Sequence, residues 1–416
     1  MLSRPFVVLY MAVFVATMGI SMVSPLLPVY AEQLGATGVW IGLTFSVFAI
    51  TQTIVGPFAG RISDRFGRKP FITAGLLLYL VAALGYLTAE SFHQVIAFRA
   101  LSGVGTSLIF SVARAYIGEM VPPGHEGRWF GVFATGDIIG FGVGPLLAGV
   151  LRSAFGFDSV FVGMALLMGA SAAIVVLLLP SRTPRFGRVE GEAEPPAVSL
   201  GFGAALRDRL VLALSLNMAL TSLAFGATFS FLAVLMEDEL GAGPVLIGVV
   251  FGAQSLASGL AQPLIGPLAD RFDRRMLVSA GIALDAVFLF GLGLAGNVGF
   301  VLLMLVGQGA FGALAYVSSS AMQVVAGRRA GMGTVLGLGS AGNGVGIVVG
   351  SVIGGLLVDL FELRAAFFFG GLAMASGIPV FLALTRGVRV SEGDPPSSGR
   401  MTDAASPAPA PVPPAG

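Results

Sequence analysis

Three charged side chains stand alone within long apolar stretches of the sequence: Arg99, Asp137 and Asp285. A charge inside a membrane is costly unless it is paired, protonated or in contact with water. Asp137 would lie about 12 Å from the start of its stretch, at about 1.5 Å per helical residue. At this depth the carboxyl group is predicted to take up and release a proton. The alternative is a structural aspartate that accepts hydrogen bonds from its neighbours.

Arg99 is predicted to face the interior of a helix bundle, because it lies about 9 Å from the nearer end of its stretch. A guanidinium group there would favour release of a proton from a nearby carboxyl group when substrate binds. Arg99 and Asp137 differ by about 9 Å in depth, so a direct ion pair would need a kinked helix or a bridging water molecule. We predict that these two residues act together in binding and releasing a proton.

The composition is that of a membrane protein. Of the 416 residues, 56% are hydrophobic and 11% are charged, whereas soluble domains carry about 25% charged residues. Most of the surface must therefore face a lipid bilayer. The chain has no cysteine and only two histidines, His93 and His125, which excludes disulfides, thiolate metal sites and histidine clusters. We expect no cofactor, and the net charge of +1 gives no indication of nucleic-acid binding.

The apolar stretches predict an all-α membrane protein, since one span needs about 20 apolar residues. The polar stretch 181–209 predicts a linker between two six-helix bundles, 1–180 and 210–388, and the Pro- and Ala-rich tail 389–416 predicts disorder. Span 1 could instead be a signal peptide, but the many later spans favour a retained helix. The twelve predicted spans are 6–29, 39–60, 71–89, 93–113, 129–151, 158–180, 210–235, 244–266, 276–295, 298–320, 332–357 and 365–385.

Basic residues mark one side of the membrane. Twenty of the 23 basic residues lie on the side that includes Arg61, Arg65 and Arg68, whereas the opposite loops hold acids such as Glu237 and Asp359. Basic loops stay in the cytoplasm. We therefore expect a multi-pass protein of the plasma or inner membrane, with both termini and the linker in the cytoplasm.

A repeat relates the two predicted bundles. The segment Gly60–Lys69 (GRISDRFGRK) recurs 206 residues later as Gly266–Arg275 (GPLADRFDRR). One register over this distance indicates a duplicated unit, and six spans between the copies make the halves parallel repeats. The same shift pairs Gly42 with Gly248, Phe45 with Phe251, Gly103 with Gly309, Gly140 with Gly346, and Gly144 with Gly350.

The repeated segment and the twelve spans resemble the major facilitator superfamily over nearly the whole chain apart from the tail. The family's loop signature between spans 2 and 3 is G-x-x-x-D-R-x-G-R-[KR], and the second copy here has Asp273 where the first has Gly67. Span 5 is similar to the signature G-x8-G-x3-G-P-x2-G of members that export compounds against an inward proton flow. Arg99 begins a pattern in span 4 that is similar to an arginine motif of the same exporters. The matching residues are Gly131, Gly140, Gly144, Pro145 and Ala148 in span 5, and Arg99, Gly103 and Gly105 in span 4.

The loop signature implies a gate on the cytoplasmic side. Gly60 is expected to permit a close turn at a helix end, and Asp64 can accept hydrogen bonds from a neighbouring helix N-terminus or from an arginine. Such a contact, formed in one transporter state and released in the other, would hold the cytoplasmic side closed. The alternative is that the basic residues only set topology. The predicted gating residues are Gly60, Asp64, Arg65, Gly67, Arg68, Asp270, Arg271 and Arg274.

Span 5 also carries a stripe of small residues. At about 100° per residue, Asp137, Gly140, Gly144 and Ala148 share one helix face, which predicts close packing against another helix. Pro145 permits a bend. Span 11 repeats the spacing with Gly346 and Gly350, and Asn343 stands at the position equivalent to Asp137. A titratable group in one half alone suits a proton site that is not duplicated.

The resemblance implies a central substrate cavity lined by spans 1, 4, 7 and 10, with spans 2, 5, 8 and 11 beside them. It places Asp285 in a peripheral span, where a packing hydrogen bond is favoured over proton coupling. The candidate cavity residues carry few charges, which suits apolar or amphipathic solutes. They are Gln52, Phe110, Asn217, Phe225, Gln254 and Gln308.

These features together predict a drug:proton antiporter that works as a monomer by alternating access and uses the proton gradient instead of a cofactor. The alternative is a facilitator or proton symporter for a sugar or another small metabolite with the same fold. The sequence contains no paired catalytic acids, metal-ligand spacing or serine-nucleophile motif. We therefore do not expect an enzyme.

Overall fold

The computed structural model describes residues 3–121, 126–180 and 201–386, and within them it has helices and no strand. Side chains at 126–128, 130, 269 and 270 are not described. Residues 181–200 of the predicted linker and the whole predicted tail lie outside the described residues. The remaining part of that linker includes a short helix, Phe202–Ala205.

Within the described residues, twelve helices are long and apolar enough to cross a membrane, as predicted. The first is interrupted around Pro25, and the seventh ends in a π-helical turn, Leu235–Glu239. Numbered in order, they are α1 Arg4–Gln33, α2 Gly38–Phe66, α3 Arg68–Leu87, α4 Phe92–Met120, α5 Glu126–Phe155, α6 Phe157–Leu178, α7 Arg209–Glu239, α8 Pro244–Arg271, α9 Arg274–Gly293, α10 Val298–Ala330, α11 Met332–Leu360 and α12 Ala365–Thr385.

Local sequence explains several helix ends. Asp208 and Asn297 cap α7 and α10, because their side chains accept hydrogen bonds from backbone N–H groups of the first turn. A single residue joins α2 to α3, α5 to α6 and α10 to α11. Each is a glycine with positive φ: Gly67 at 93°, Gly156 at 82° and Gly331 at 95°. Other residues rarely adopt this conformation, so glycine permits these short connections.

The two halves have the same internal arrangement. In the first half, α1 packs against α5 and α6, α2 packs against α4, and α3 packs against α4 and α6. Helices α7 to α12 repeat this pattern pair for pair. The 206-residue shift in the sequence therefore corresponds to a duplicated six-helix bundle.

The halves meet through two helix pairs, α2 with α11 and α5 with α8. Small residues bring the backbones together in both pairs. Gly42 lies against the Ser351 backbone, Gly355 against the Gly38 backbone, and Gly252 against the Gly142 backbone. These contacts lie toward the end of the molecule that carries the acidic residues Glu32, Glu237 and Asp359, which we name the acidic end.

The opposite end carries Arg61 and Arg65, and we name it the basic end. An added Cβ at Gly60 of α2, Gly131 of α5 or Gly266 of α8 would have no atom within 4 Å. Among the described residues, the polar contacts between the two halves therefore lie toward the acidic end, as do the closest contacts of glycines with the backbone of the other half.

Candidate gates and proton site

Arg68 is the centre of the contacts around the loop between α2 and α3. Its side chain is buried and forms an ion pair with Asp64. Its Nε and Nη2 atoms donate to Glu119 Oε1 at 3.2 and 2.7 Å, and Nη1 donates to Ser63 Oγ at 2.6 Å and to the Gly60 carbonyl at 3.0 Å. The guanidinium group thus connects α2, α3 and α4. Sequence analysis missed Glu119, although an acid near the basic side was a usable signal.

The turn between α2 and α3 lies at Gly67, and the prediction of a close turn at Gly60 is wrong. Because α2 continues to Phe66, Gly60 lies within the helix. Gly67 supplies the positive φ of the turn. At the equivalent position of the second copy, Asp273 caps α9 by accepting a hydrogen bond from the Arg275 backbone N–H at 2.9 Å. The departure from glycine therefore exchanges a left-handed turn for a helix cap.

Asp64 forms its ion pair with Arg68 within one half, and its side chain is 57% exposed. This arrangement matches the released form that the gating hypothesis assigns to an open basic end. The role of the loop in gating stays a prediction. Of the other predicted gating residues, Arg65 and Arg271 are exposed, Arg274 is partly buried, and the side chain of Asp270 lies outside the described residues.

Asp137 lies at the contact between α5 and α1. Its Oδ1 atom accepts a hydrogen bond from Thr17 Oγ1 at 3.2 Å. Gly140 and Gly144 follow on the same face, where an added Cβ at Gly140 would come within 2.9 Å of the Thr17 Cβ. Ser21 Oγ of α1 donates to the Gly140 carbonyl at 2.9 Å. The helix that packs on the predicted stripe is therefore α1.

The second half repeats this contact without the acid. Asn343 of α11 accepts a hydrogen bond from Ser222 Oγ of α7 at 2.5 Å. Gly346 lies against Ala219 and Ser222 of α7, and Gly350 lies against the Leu223 backbone. Both halves thus place a hydroxyl donor beside an equivalent oxygen acceptor, and only the first half has a titratable group there.

A second face of α5 contacts the other half of the molecule, and sequence analysis missed it. The Pro145 carbonyl lies against Gly248 of α8, and Gly149 lies against the Pro244 carbonyl. Pro145 is inside the continuous helix α5, where it removes one backbone N–H donor. The predicted bend stays a prediction.

Arg99 is buried with 1% exposure. Its guanidinium carbon lies 4.6 Å from the centre of the Phe48 ring and 5.5 Å from that of Phe45, both on α2. Such cation–π contacts are favourable and strongest when desolvated. Among the described residues, no ion pair joins Arg99 to Asp137. A cation within electrostatic range of Asp137 is Arg114 of α4.

The candidate cavity residues differ in their surroundings. Asn217 Nδ2 donates to Ser319 Oγ at 3.2 Å, and Phe225 is exposed and stacked on Phe229 with ring centres 4.1 Å apart. Gln308 has a buried Oε1 atom with no described hydrogen-bond partner. Gln52, Phe110 and Gln254 are partly buried on α2, α4 and α8. Their role in lining a substrate cavity stays a prediction.

Asp285 is buried in α9 against Gly312 of α10. Its Oδ1 atom has no hydrogen-bond partner among the described residues. The packing hydrogen bond that was favoured for it is therefore absent from the described part of the chain.

The acidic end has polar contacts between the halves that sequence analysis missed. The Asp359 carboxylate at the end of α11 accepts hydrogen bonds from the backbone N–H groups of Gly38 at 2.6 Å and Val39 at 3.0 Å, at the start of α2. Arg152 of α5 forms a two-bond ion pair with Glu237 of α7, with both N–O distances 2.5 Å. These residues are 321 and 85 positions apart in the chain.

This arrangement, two equivalent six-helix bundles joined through α2–α11 and α5–α8, defines a duplicated twelve-helix membrane protein. The family model described as Major Facilitator Superfamily matches residues 9–236 and 214–414. The chain therefore belongs to the major facilitator superfamily, and it is a transporter of small molecules rather than an enzyme.

Relatives of this chain include multidrug resistance proteins at low identity. The chain is 27% identical over 380 residues to multidrug resistance protein 1 of Bacillus subtilis, covering 89% of this chain and 93% of the relative. It is 25% identical over 374 residues to multidrug resistance protein MdtG of Proteus mirabilis, covering 87% and 91%.

Solved structures with the same fold include transporters of other kinds. A bacterial homologue of the human lysosomal transporter Spinster, in an inward-facing and unoccupied conformation, has a TM-score of 0.70 at 15% identity and covers 91% of this chain and 94% of its own. The nucleoside transporter NupG has a TM-score of 0.74 at 14% identity and covers 91% and 99%. At such identities the likeness shows the fold alone.

Proposed function

We propose that this protein exports small apolar or amphipathic, drug-like compounds in exchange for protons. It works as a monomer in the plasma or inner membrane, with both termini in the cytoplasm. The two halves rock about a central site, which opens to each side in turn. A proton that moves down 100 mV supplies about 2.3 kcal/mol, enough for roughly fiftyfold accumulation of a neutral solute.

The distribution of basic residues supports an orientation with the basic end in the cytoplasm. In that orientation, the contacts between the halves at the acidic end support a conformation that is closed to the outside and open to the cytoplasm. An exporter collects its substrate in this state. The multidrug resistance proteins among the relatives support drug-like compounds as the substrate class.

Asp137 is the observation that carries the proton-coupling proposal. It is an acid within a membrane-spanning helix, at the contact between α5 and α1, with Thr17 as its hydrogen-bond donor. The second half keeps the hydroxyl donor and has Asn343 instead. The two halves share this geometry, but only the first half has a titratable group there. This difference supports a specific role for Asp137 in binding a proton.

The test is transport into everted membrane vesicles energised by respiration, with and without a protonophore. We expect the protein to accumulate a fluorescent dye substrate and the protonophore to abolish accumulation. Asp137→Asn should reduce proton-driven accumulation at least tenfold and preserve exchange of dye between the two sides. Full proton-driven transport by Asp137→Asn would refute this assignment.

Asp285→Asn is the matched control, because it also neutralises an acid within the membrane but in the second half. It should retain proton-driven accumulation. If it lost accumulation while Asp137→Asn kept it, the proton site would lie between α9 and α10 instead.

The alternative function is facilitated or proton-linked uptake of a sugar or another small metabolite. The amide side chains of Gln52, Asn217, Gln254 and Gln308 favour it, because they can form hydrogen bonds with hydroxyl groups. Dye transport that was insensitive to a protonophore would favour the facilitator. Inward accumulation of a metabolite with the proton gradient would favour the symporter.

A further inference from the structure

We propose that Asp359 is a gating residue, and that its carboxylate holds the acidic end closed by binding the N-terminus of α2 in the other half. At the same end, the Arg152–Glu237 ion pair holds α5 of the first half to α7 of the second half. This proposal rests on alternating access and is independent of the transported compound and of proton coupling.

The contact is a helix cap supplied by the opposite half. The first backbone N–H groups of a helix lack partners within the helix, and the helix dipole favours a negative charge beside them. Asp359 accepts from the N–H groups of Gly38 and Val39 and from Thr37 Oγ1 at 3.2 Å. Thr37 precedes α2 and its side chain makes no capping hydrogen bond of its own. Asp359 therefore accepts hydrogen bonds from backbone N–H groups of α2 that would be exposed to water if the halves separated at this end.

Close packing restricts this contact to the closed acidic end. An added Cβ at Gly38 would come within 2.8 Å of Asp359 Oδ1 and 3.0 Å of the Val358 Cβ, and Gly355 lies against the Gly38 backbone. A carboxylate reaches the N–H groups only while these backbones touch. The cap and the glycine packing must form and separate together.

The same helix pair carries an equivalent acid at its other end. Asp64 is in the last turn of α2, as Asp359 is in the last turn of α11, and the two helices run antiparallel. If Asp64 binds the N-terminus of α11 when the basic end closes, one cap would join α2 and α11 in each state. Asp359 would supply it at the acidic end in one state, and Asp64 at the basic end in the other. Here Asp359 is engaged, whereas Asp64 is exposed and paired within its own half. Neutralising the two acids should therefore shift the conformational equilibrium in opposite directions.

The chain has no cysteine, so the labelling of one introduced cysteine can measure opening of the contact between α2 and α11. Ser46 of α2 is fully buried, and its Oγ donates to the Val348 carbonyl of α11 at 3.2 Å. In a Ser46→Cys background, purified protein in nanodiscs is labelled with a water-soluble maleimide. The labelling rate measures how often the acidic end opens, without substrate or a proton gradient.

We expect Asp359→Asn to accelerate labelling by about 2- to 5-fold, the range that follows from removing a negative charge beside a helix N-terminus, because asparagine can still accept a hydrogen bond there. Glu237→Gln should accelerate labelling in the same direction. Asp64→Asn should leave it unchanged or slow it. Glu362→Gln is the matched control, because it neutralises an exposed acid three positions from Asp359 and should have no effect.

Equal labelling of the parent and folded Asp359→Asn would overturn the proposal, and so would equal acceleration by Glu362→Gln. If Asp359→Asn does not give folded protein, Thr37→Val and Glu237→Gln decide the question with the same reporter. The proposal then fails if neither accelerates labelling. Loss of proton-driven transport in Asp137→Asn would not bear on this result, so the two proposals can fail separately.

Discussion

At the basic end, the buried side chain of Arg68 stabilises the first half. Arg68 connects three helices, and its partner Glu119 would lose two donor groups if the guanidinium group were removed. Hydrogen bonds to charged groups contribute about 1.5–3 kcal/mol each. The loop signature therefore has a structural function within one half in addition to any gating function.

Replacing Arg68 by methionine should lower the apparent unfolding temperature of the purified protein by several degrees. Glu119 would lose the two donor groups that Arg68 supplies, while the apolar part of the side chain is kept. Thermal unfolding monitored by intrinsic fluorescence in detergent measures the change. Arg65→Met is the control, because Arg65 is exposed and should have little effect. Equal unfolding temperatures for Arg68→Met and the parent would contradict this account.

At the scale of helices, the short connections depend on glycine only where φ is positive. Gly67→Ala should destabilise the protein by about 1–3 kcal/mol, because alanine is strained at the positive φ of this position. Gly60→Ala should be neutral or stabilising by about 0.5–1 kcal/mol, since it replaces glycine within a helix and meets no neighbour. Paired thermal-unfolding curves compare the two variants. A larger loss for Gly60→Ala would show that the signature glycine at 60 is needed for another reason.

Hydropathy predicted the number and order of the helices, because the thickness of the bilayer sets the length of each apolar stretch. It misplaced the basic ends of α2, α4 and α10, which were predicted to end at 60, 113 and 320 and end at Phe66, Met120 and Ala330. Hydropathy detects where lipid contact ends, whereas a helix continues until its backbone turns. At Gly67 and Gly331 that turn needs a single glycine.

The stripe on α5 was predicted from spacing, but its partner was not. Residues three or four apart share a helix face, so Gly140 and Gly144 were found in the sequence without reference to α1. The contacts of Asp359 and Arg152 join residues far apart in the chain, and no local pattern indicates them. Under the proposed alternating access, the halves are joined at different ends in two conformations of the same sequence. The sequence alone therefore does not indicate the joined end.

For the molecule as a whole, small residues at the joint let the acidic end close. Gly42→Val should hold this end open, because even a Cβ would collide with the Ser351 backbone. Spin labels on cysteines introduced at the exposed positions Gln33 and Glu362 measure the distance across the acidic end. We expect a shift to longer distances. Gly60→Val, on the same helix but facing open space, is the control, and an unchanged distance in Gly42→Val would contradict the prediction.

The two joints between the halves have a consequence for ancestry. Under the 206-residue repeat, α2 corresponds to α8 and α5 to α11, so the α2–α11 and α8–α5 contacts are copies of one another. Such a pairing is isologous, the kind of interface by which two identical subunits form a symmetric dimer. A single six-helix ancestor would have carried both complementary surfaces and could have self-associated before its gene was duplicated. Fusion then allowed the two copies to differ, with Asp137 in one and Asn343 in the other, a difference that identical subunits cannot have.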